Sequence, residues 1–483
     1  MHQLQRFLLL LLIVLLASSG IPVSASQPTP DTRLILSHKA RFTAEVPENW
    51  DIDLDQRADY ISPDKNEYIV ASTYPASMTS LTQACRSAAR RFDAKDDPDS
   101  AITWVTFAAQ IGCRLESPNA TGAANEPLAV IFLHPNPLLS GIDDLPYFKY
   151  AGVMVDRAHF EAVTESMKFD LADVTPELYV SAAIDLLQAH SLVRDEIDWE
   201  TVRTDAEAAI SGDGVLPALD VALEALDAAG DRHSYRWEPV QLDSFVGTSA
   251  EDIPETKLPS SLAFSDQISY INLPPIQGDE SVFELYATTG SEEIADVDSA
   301  TTCGWIIDLR TNFGGNSDPM VAAVGEILGD GVFAGFANSD GTVDMQAYED
   351  GSVFDADDSA GDSLIDGPIY TPENPDSAVA LLIGPVTGSA GEYTVIGFIG
   401  RPETRTFGEP SADLTTGISG FVLMDGGAIG LATSAMIDRS GTAYPSGIEP
   451  DTVIESDVAG ILDPADPVAA AATEWLLQQP SCQ

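Results

Sequence analysis

The stretch Ile383-Gly-Pro-Val-Thr-Gly-Ser-Ala-Gly-Glu392 could carry a nucleophile. An apolar, strand-like run ends at Gly384, small residues follow, and a helix is predicted to begin at about Gly391. Ser389 would then stand at a helix N-terminus, where the dipole and unpaired backbone N–H groups favour a negatively charged transition state. Thr387 occupies the position two residues earlier, so the phrase is not a G-x-S-x-G elbow. Alone, such a serine would be an ordinary N-cap. The phrase Trp305-Ile-Ile-Asp-Leu-Arg-Thr-Asn-Phe-Gly-Gly315 changes the balance. Gly314 and Gly315 can present backbone N–H groups with no Cβ in the way. Together with the N–H of Ala390 they would form an oxyanion hole, and the chemistry implied is acyl transfer at a carbonyl. Asp308, Arg310 and Asn312 are expected to brace that loop by charge and hydrogen bonds.

Such groups need a sheet to hold them. From 261 to 460 the chain alternates strands and helices. Strands are predicted at Ile268–Leu273, Gly304–Leu309, Ala378–Gly384 and Ala428–Ala435, and helices at Pro319–Leu328 and Gly391–Ile399. This is an α/β pattern. A Gly/Asp-rich stretch at about 338–377 reads as a surface insertion, and 461–483 as a C-terminal helix and tail. Residues 174–260 form a helical lead-in, with predicted helices from Pro176, after the capping Asp198, and from Leu216 to Ala229 before Gly230. The segment 35–170 reads as a small α+β domain with an antiparallel sheet, its strands at Tyr68–Thr73, Ala101–Phe107 and Leu128–Leu133 and a helix at Thr79–Phe92. The overall expectation is α/β, or α+β for the whole chain.

At the front, Phe7–Ala17 is an unbroken apolar run of 11 residues, preceded by Arg6 and followed by Val23 and Ala25 before Ser26. That is the order of a secretory signal peptide (1–25) with a Ser/Pro/Thr-rich linker (26–34). The run is short for a span, which takes about 20 residues. The expected location is secreted or periplasmic, in the cell envelope, with an uncleaved anchor as the alternative. Export permits disulfides. Cys85 and Cys113 are the expected pair, although four cysteines allow three pairings. Acidic residues number 76 against 23 basic ones, a formal net charge of −53, which repels phosphate backbones and anionic membranes. Nucleic acid is therefore not an expected partner. No metal or cofactor is implied.

Four phrases come in a telling order: Asp308-Leu-Arg-x-Asn-x-Gly-Gly315, Thr387-Gly-Ser-Ala-Gly-Glu392, Phe407-Gly-Glu-Pro and Gly447-Ile-Glu-Pro-Asp451. From about 175 to 460 the chain resembles the tail-specific, or C-terminal-processing, serine peptidases and the tricorn core that shares their fold. The resemblance implies a ClpP/crotonase-like peptidase core acting on a peptide or protein substrate. Members typically pair the serine with a downstream lysine. Here Leu414 occupies that place, 25 residues past Ser389, and no lysine follows Lys257. The tricorn-like branch uses an upstream histidine instead. Asp231-Arg-His-Ser resembles that branch's phrase, which makes His233 the expected general base. Glu449 lies where those enzymes place a glutamate and is the expected orienting acid, with Asp438 as its competitor. Glu392 could sit in the first helical turn and favour the dipole.

Many family members also carry a PDZ domain that captures substrate tails. Only 34 residues separate His233 from Ile268, too few for one. In the N-terminal segment, Phe42-Thr-Ala-Glu-Val-Pro-Glu-Asn-Trp50 and Ser166-Met-Lys-Phe169 resemble phrases of the PsbP-type sandwich. The function expected is that of an exported serine peptidase using a Ser–His pair. The alternatives are a non-catalytic peptide-binding protein that retains the fold, or an esterase using the same serine.

Overall fold

In a computed structural model of the chain, the described residues run from 174 to 483 except 211–213, 238–247, 424–426 and 456–465, together with strand segments and a few single residues between 32 and 166. The expected signal peptide and most of the helix expected at Thr79–Phe92 lie outside them.

The N-terminal part is antiparallel wherever it is described. Strands β1 (Thr32–Ser37) and β2 (Phe42–Pro47) pair with each other, so β1 begins inside the segment read as linker. Strands β3 (Asp51–Ile52), β4 (Tyr60–Ile61), β5 (Tyr68–Tyr74), β6 (Ile102–Phe107), β7 (Gln110–Leu115), β8 (Ala129–Leu133) and β9 (Phe148–Met154) form a sheet in the order 3-4-5-9-8-7-6. Cys113 on β7 is bonded to Cys85, the expected pair. The two phrases that flank this segment meet, with Glu45 N donating to Ser166 Oγ at 2.8 Å.

Three helices follow: α1 (Pro176–His190), α2 (Trp199–Ala209) and α3 (Leu216–Ala228). Asp198 caps α2 through Thr201 N, as its sequence position suggested. The chain then runs through β10 (Tyr235–Trp237), β11 (Ser260–Ala263), β12 (Ile268–Asn272), α4 (Glu280–Val297), β13 (Gly304–Asp308), α5 (Ser317–Ala322), α6 (Gly325–Leu328), β14 (Gly331–Asn338), β15 (Val343–Glu349) and β16 (Ser352–Asp355). The last elements are β17 (Ala378–Ile383), α7 (Ala390–Phe398), β18 (Thr404–Gly408), β19 (Thr416–Val422), β20 (Ala428–Asp438), β21 (Thr452–Val453) and α8 (Pro467–Leu476).

One sheet has the order β11-β12-β13-β17-β18-β21, parallel from β12 onward. β12, β13 and β17 are buried along their whole length. Their unbroken apolar runs suit a sheet covered on both faces. Ile271, Ile307, Leu381 and Ile383 pack with α4, α5 and α7, whereas Tyr270, Ile306, Ala380 and Leu382 pack under α8. The disulfide Cys303–Cys482 ties the start of β13 to the end of the chain.

The second sheet is antiparallel, in the order β10-β20-β14-β15-β16 with β19 also paired to β20. The helical lead-in packs on it: Val180, Ile184, Leu219 and Leu226 share a core with Ile429 and Leu431 of β20. Part of the expected surface insertion is strand, since 343–355 contribute β15 and β16. Asp344, Gln346 and Asp355 on one face gave these strands a polar look, while Ala347 and Tyr348 are buried. The long helix α4, which has no strong sequence signal, is capped by Asp279 and buries Val282, Tyr286 and Ile294. Among the described residues no helix is long and apolar enough to cross a membrane.

Candidate active site

The turn between β17 and α7 is clamped from below. Thr387 Oγ1 donates to Leu309 O at the end of β13 and accepts from Gly384 N, both at 2.9 Å. That clamp forces the next residues over the sheet edge. Ser389 takes φ 53° and ψ −121°, a region rarely used by a non-glycine residue. Glu392 holds it there. Its Oε2 accepts from Ser389 N at 2.9 Å and from Leu414 N at 3.0 Å, and its Oε1 accepts from Ser411 Oγ at 2.5 Å. Burial pushes the Glu392 carboxyl up, and these hydrogen bonds oppose the shift. Glu392 does sit in the first turn of α7, as expected, and it also fastens the 411–414 loop to the Ser389 turn.

The glycine loop is braced by the residues expected to do so. Arg310 bridges Asp308 at 2.6 Å and Asp466, the N-cap of α8, at 2.7 Å. Asn312 Nδ2 donates to Leu273 O at 3.0 Å, and its Oδ1 accepts from Gly314 N at 2.9 Å. Both glycines have positive φ, 113° and 126°. A Cβ on Gly314 would lie 2.7 Å from Ser389 Cβ, and one on Gly315 would lie 1.9 Å from Ile276 O. No larger residue fits at either place. The Gly314 N–H is committed to Asn312, whereas the N–H groups of Gly315 and Ala390 have no hydrogen-bond acceptor among the described residues.

His233 is positioned by different elements. Helix α3 ends at Gly230, φ 103°. Asp231 then folds the next residues into a tight turn, accepting from His233 N at 3.1 Å and from Ser234 N at 2.9 Å. Ser234 Oγ donates to Asp231 Oδ2 and accepts from Ala432 N at 2.8 Å, which pins the turn to β20. The half-buried ring of His233 bonds through Nδ1 to Thr416 Oγ1 at 2.8 Å. Burial lowers its pKa, and the charge of Asp231 works against that shift. The ring and Ser389 Oγ are not hydrogen-bonded to each other.

The expected acids stand elsewhere. Glu449 is exposed and makes no hydrogen bond or ion pair with a described residue, and Thr416 meets the ring in its stead. Asp438 is spent on its own hairpin, accepting from Ser440 Oγ, Thr442 N and Tyr444 Oη. Sequence reading missed Thr416, because a threonine in a strand carries no signal. Asp231 was visible in its phrase, but its role as the turn-former was not.

A cavity of about 410 Å³ collects these parts: Ser389, Ala390, Gly315 and Thr416 all line it. A second cavity, of about 320 Å³, lies beside the glycine loop and is lined by Ile276, Lys257 and the exposed Phe313.

Residues 267–454 match the family model described as peptidase family S41. The segment 267–454 is assigned to peptidase family S41. This is the tail-specific family whose phrases the sequence carries, and the matched span holds Ser389, both glycines and Thr416, whereas His233 precedes it. The nisin-resistance protein of Lactococcus lactis subsp. lactis is 24% identical over 316 residues, which cover 64% of this chain and 89% of that protein. The structure of a lipoprotein from Streptococcus agalactiae shares the fold, at a TM-score of 0.51 and 21% identity, over 64% of this chain and 98% of the other. A photosystem II D1 C-terminal processing protease aligns over 59% of this chain and 95% of its own, with a TM-score of 0.41 and 14% identity.

Proposed function

We propose that this S41 member is an exported serine peptidase that cleaves peptide bonds with Ser389 as nucleophile and His233 as general base. One observation carries the reading. A serine in a strained turn, two backbone N–H groups without acceptors and the hydroxyl that binds the His233 ring converge on a single cavity. With Nδ1–H donating to Thr416 Oγ1, the Nε2 lone pair of a neutral imidazole is left to take the serine proton. Ser389 Oγ then attacks the carbonyl, and the Gly315 and Ala390 N–H groups bind the oxyanion. Gly314 serves the loop through Asn312 and does not donate to the oxyanion. The imidazolium returns its proton to the leaving amine. Thr416 takes the orienting place expected of Glu449. Substrate binding must draw β19 and α7 together for the Ser–His bond to form, and such bonds tighten on substrate binding in many enzymes.

The apolar leader and two disulfides support export. The names of the relatives, a nisin-resistance protein and a lipoprotein, fit an envelope enzyme that meets peptides outside the cytoplasm. The test is labelling with a fluorophosphonate probe together with cleavage of a peptide library, comparing wild type with Ser389→Ala and His233→Ala. Wild type labels and cleaves while both variants lose both activities. Equal labelling of all three refutes the assignment, and labelling without peptide cleavage would favour the esterase reading.

A further inference from the structure

The cavity that holds Ser389 has a second half that the proposed chemistry leaves unused. Strands β14, β15 and β16 present one face to it, and residues two apart line it together: Phe336 with Asn338, then Asp344 with Gln346, then Asp355 opposite Gln346. Asp344 accepts from Asn338 Nδ2 and Asp355 from Gln346 Nε2, each at 2.5 Å. These amides fix the carboxylates and leave the second oxygen of each open. Neither carboxylate is paired with a lysine, arginine or histidine among the described residues, and no basic side chain lines the cavity.

A second feature lies deeper in the same cavity. Tyr393 is one turn along α7 from Ser389, 1% exposed, and stacked on Phe336 at 4.7 Å. Its hydroxyl is buried without a hydrogen-bond partner. Burial pushes its pKa well up, and the charges of Asp318 and Asp355 add to the shift. A buried phenol without a partner is costly to leave unsatisfied, and it can accept a hydrogen bond from a cationic N–H group. The flat Phe336–Tyr393 stack suits the aliphatic stem of a long side chain.

We infer that this half of the cavity is a specificity subsite for a lysine or arginine side chain of the substrate peptide, close to the scissile bond, held by Asp344 and Asp355 with the Tyr393 hydroxyl. The inference rests on the proposed peptidase reading for its place in catalysis. The subsite itself can be tested without turnover.

Peptides matched except for arginine or citrulline isolate the charge, because the two side chains are nearly isosteric. In the wild-type full-length protein, kcat/KM for the arginine peptide exceeds that for the citrulline peptide by roughly three- to tenfold, since two exposed carboxylates act together. The ratio shrinks as salt is raised. It falls to within about twofold in Asp344→Asn/Asp355→Asn, whereas Asp355→Lys turns the preference toward a glutamate peptide. Cleavage with a ratio near one in wild type overturns the subsite and leaves the peptidase reading intact. If no peptide is cleaved, the same two peptides are titrated into Ser389→Ala by calorimetry. Tighter binding of the arginine peptide, lost in the Asp344→Asn/Asp355→Asn background, supports the subsite without catalysis. Equal binding of the two peptides overturns it.

Discussion

Replacing Gly314 by alanine tests the proposed site at its tightest contact. The added Cβ would lie 2.7 Å from Ser389 Cβ, 3.0 Å from Gly388 O and 3.2 Å from Ala390 N. None of these is the end of a flexible side chain. An L-residue at φ 113° is strained by roughly 1–3 kcal/mol, and overpacking adds about 1–3 kcal/mol more. The contact must open by about 1 Å to reach ordinary van der Waals distance, and the atoms that yield are the nucleophile or the turn that carries it. A displacement of that size costs roughly 100-fold in rate. Gly341 supplies the control. Its φ is 86°, yet an added Cβ meets nothing within 4 Å, so Gly341→Ala carries the backbone strain without the collision. The assay is the rate of fluorophosphonate labelling at Ser389, with urea midpoints measured in parallel. Gly314→Ala is expected to lose about two orders of magnitude in labelling while Gly341→Ala keeps its rate and loses only about 1–2 kcal/mol of stability. Wild-type labelling in a folded Gly314→Ala would refute the packing of this loop against the nucleophile.

Three further outcomes follow from the same geometry. Thr416→Val removes the partner of His233 Nδ1 and is expected to slow peptide cleavage by about 10–100-fold, with Thr416→Ser restoring most of it, since loss of an orienting partner is costly in proportion to the misalignment it allows. Burial depresses the His233 pKa, so the base stays neutral below its ordinary value of 6.5 and the acid limb of kcat/KM lies below that pH. Asp231→Asn removes the opposing charge, so the limb moves to still lower pH; a shift upward would contradict the assignment. Arg310→Met leaves Asp308 and Asp466 buried without their cation and is expected to lower the unfolding free energy by about 3–5 kcal/mol in urea titrations at neutral pH. Adding Asp308→Asn and Asp466→Asn should recover part of that loss.

What could be read without coordinates was local and strongly patterned. The runs at Ile268, Gly304 and Ala378 are apolar on both faces because both faces are covered, so β12, β13 and β17 declared themselves. The turn at Ser389 and the glycine pair were legible because only small residues tolerate their backbone angles and contacts. What stayed hidden depends on residues far apart in sequence. β15 and β16 look like a loop because their cavity face is acidic and amide-rich, the feature that makes them a candidate recognition surface. Thr416 meets His233 across 183 residues, and no periodicity announces such a contact. Glu449 was placed by analogy of spacing, whereas the side chain bonded to the His233 ring is Thr416 on β19.

The leucine at the lysine place is consistent with the proposed histidine base, because the loop keeps its backbone ties to the Ser389 turn. Leu414 N–H shares Glu392 Oε2 with Ser389 N–H. A Cβ on Gly388 would lie 3.3 Å from Leu414 Cδ1, so the leucine side chain packs beside the nucleophile turn where a lysine would otherwise reach. The backbone of this loop is thus tied to the serine whatever side chain it bears. Arg232, next to His233, makes an ion pair with Asp413 at 3.3 Å, which couples the histidine turn to the same loop. A buried lysine must be deprotonated to act as a base, which requires strong desolvation. In a chain with 76 acidic residues the surrounding negative field works against that deprotonation. An imidazole is already mostly neutral at pH 7 at its ordinary value of 6.5, and burial lowers His233 further. The proposed histidine base is therefore one that such an acidic chain can hold neutral, and an apolar leucine suits the place a lysine would have filled.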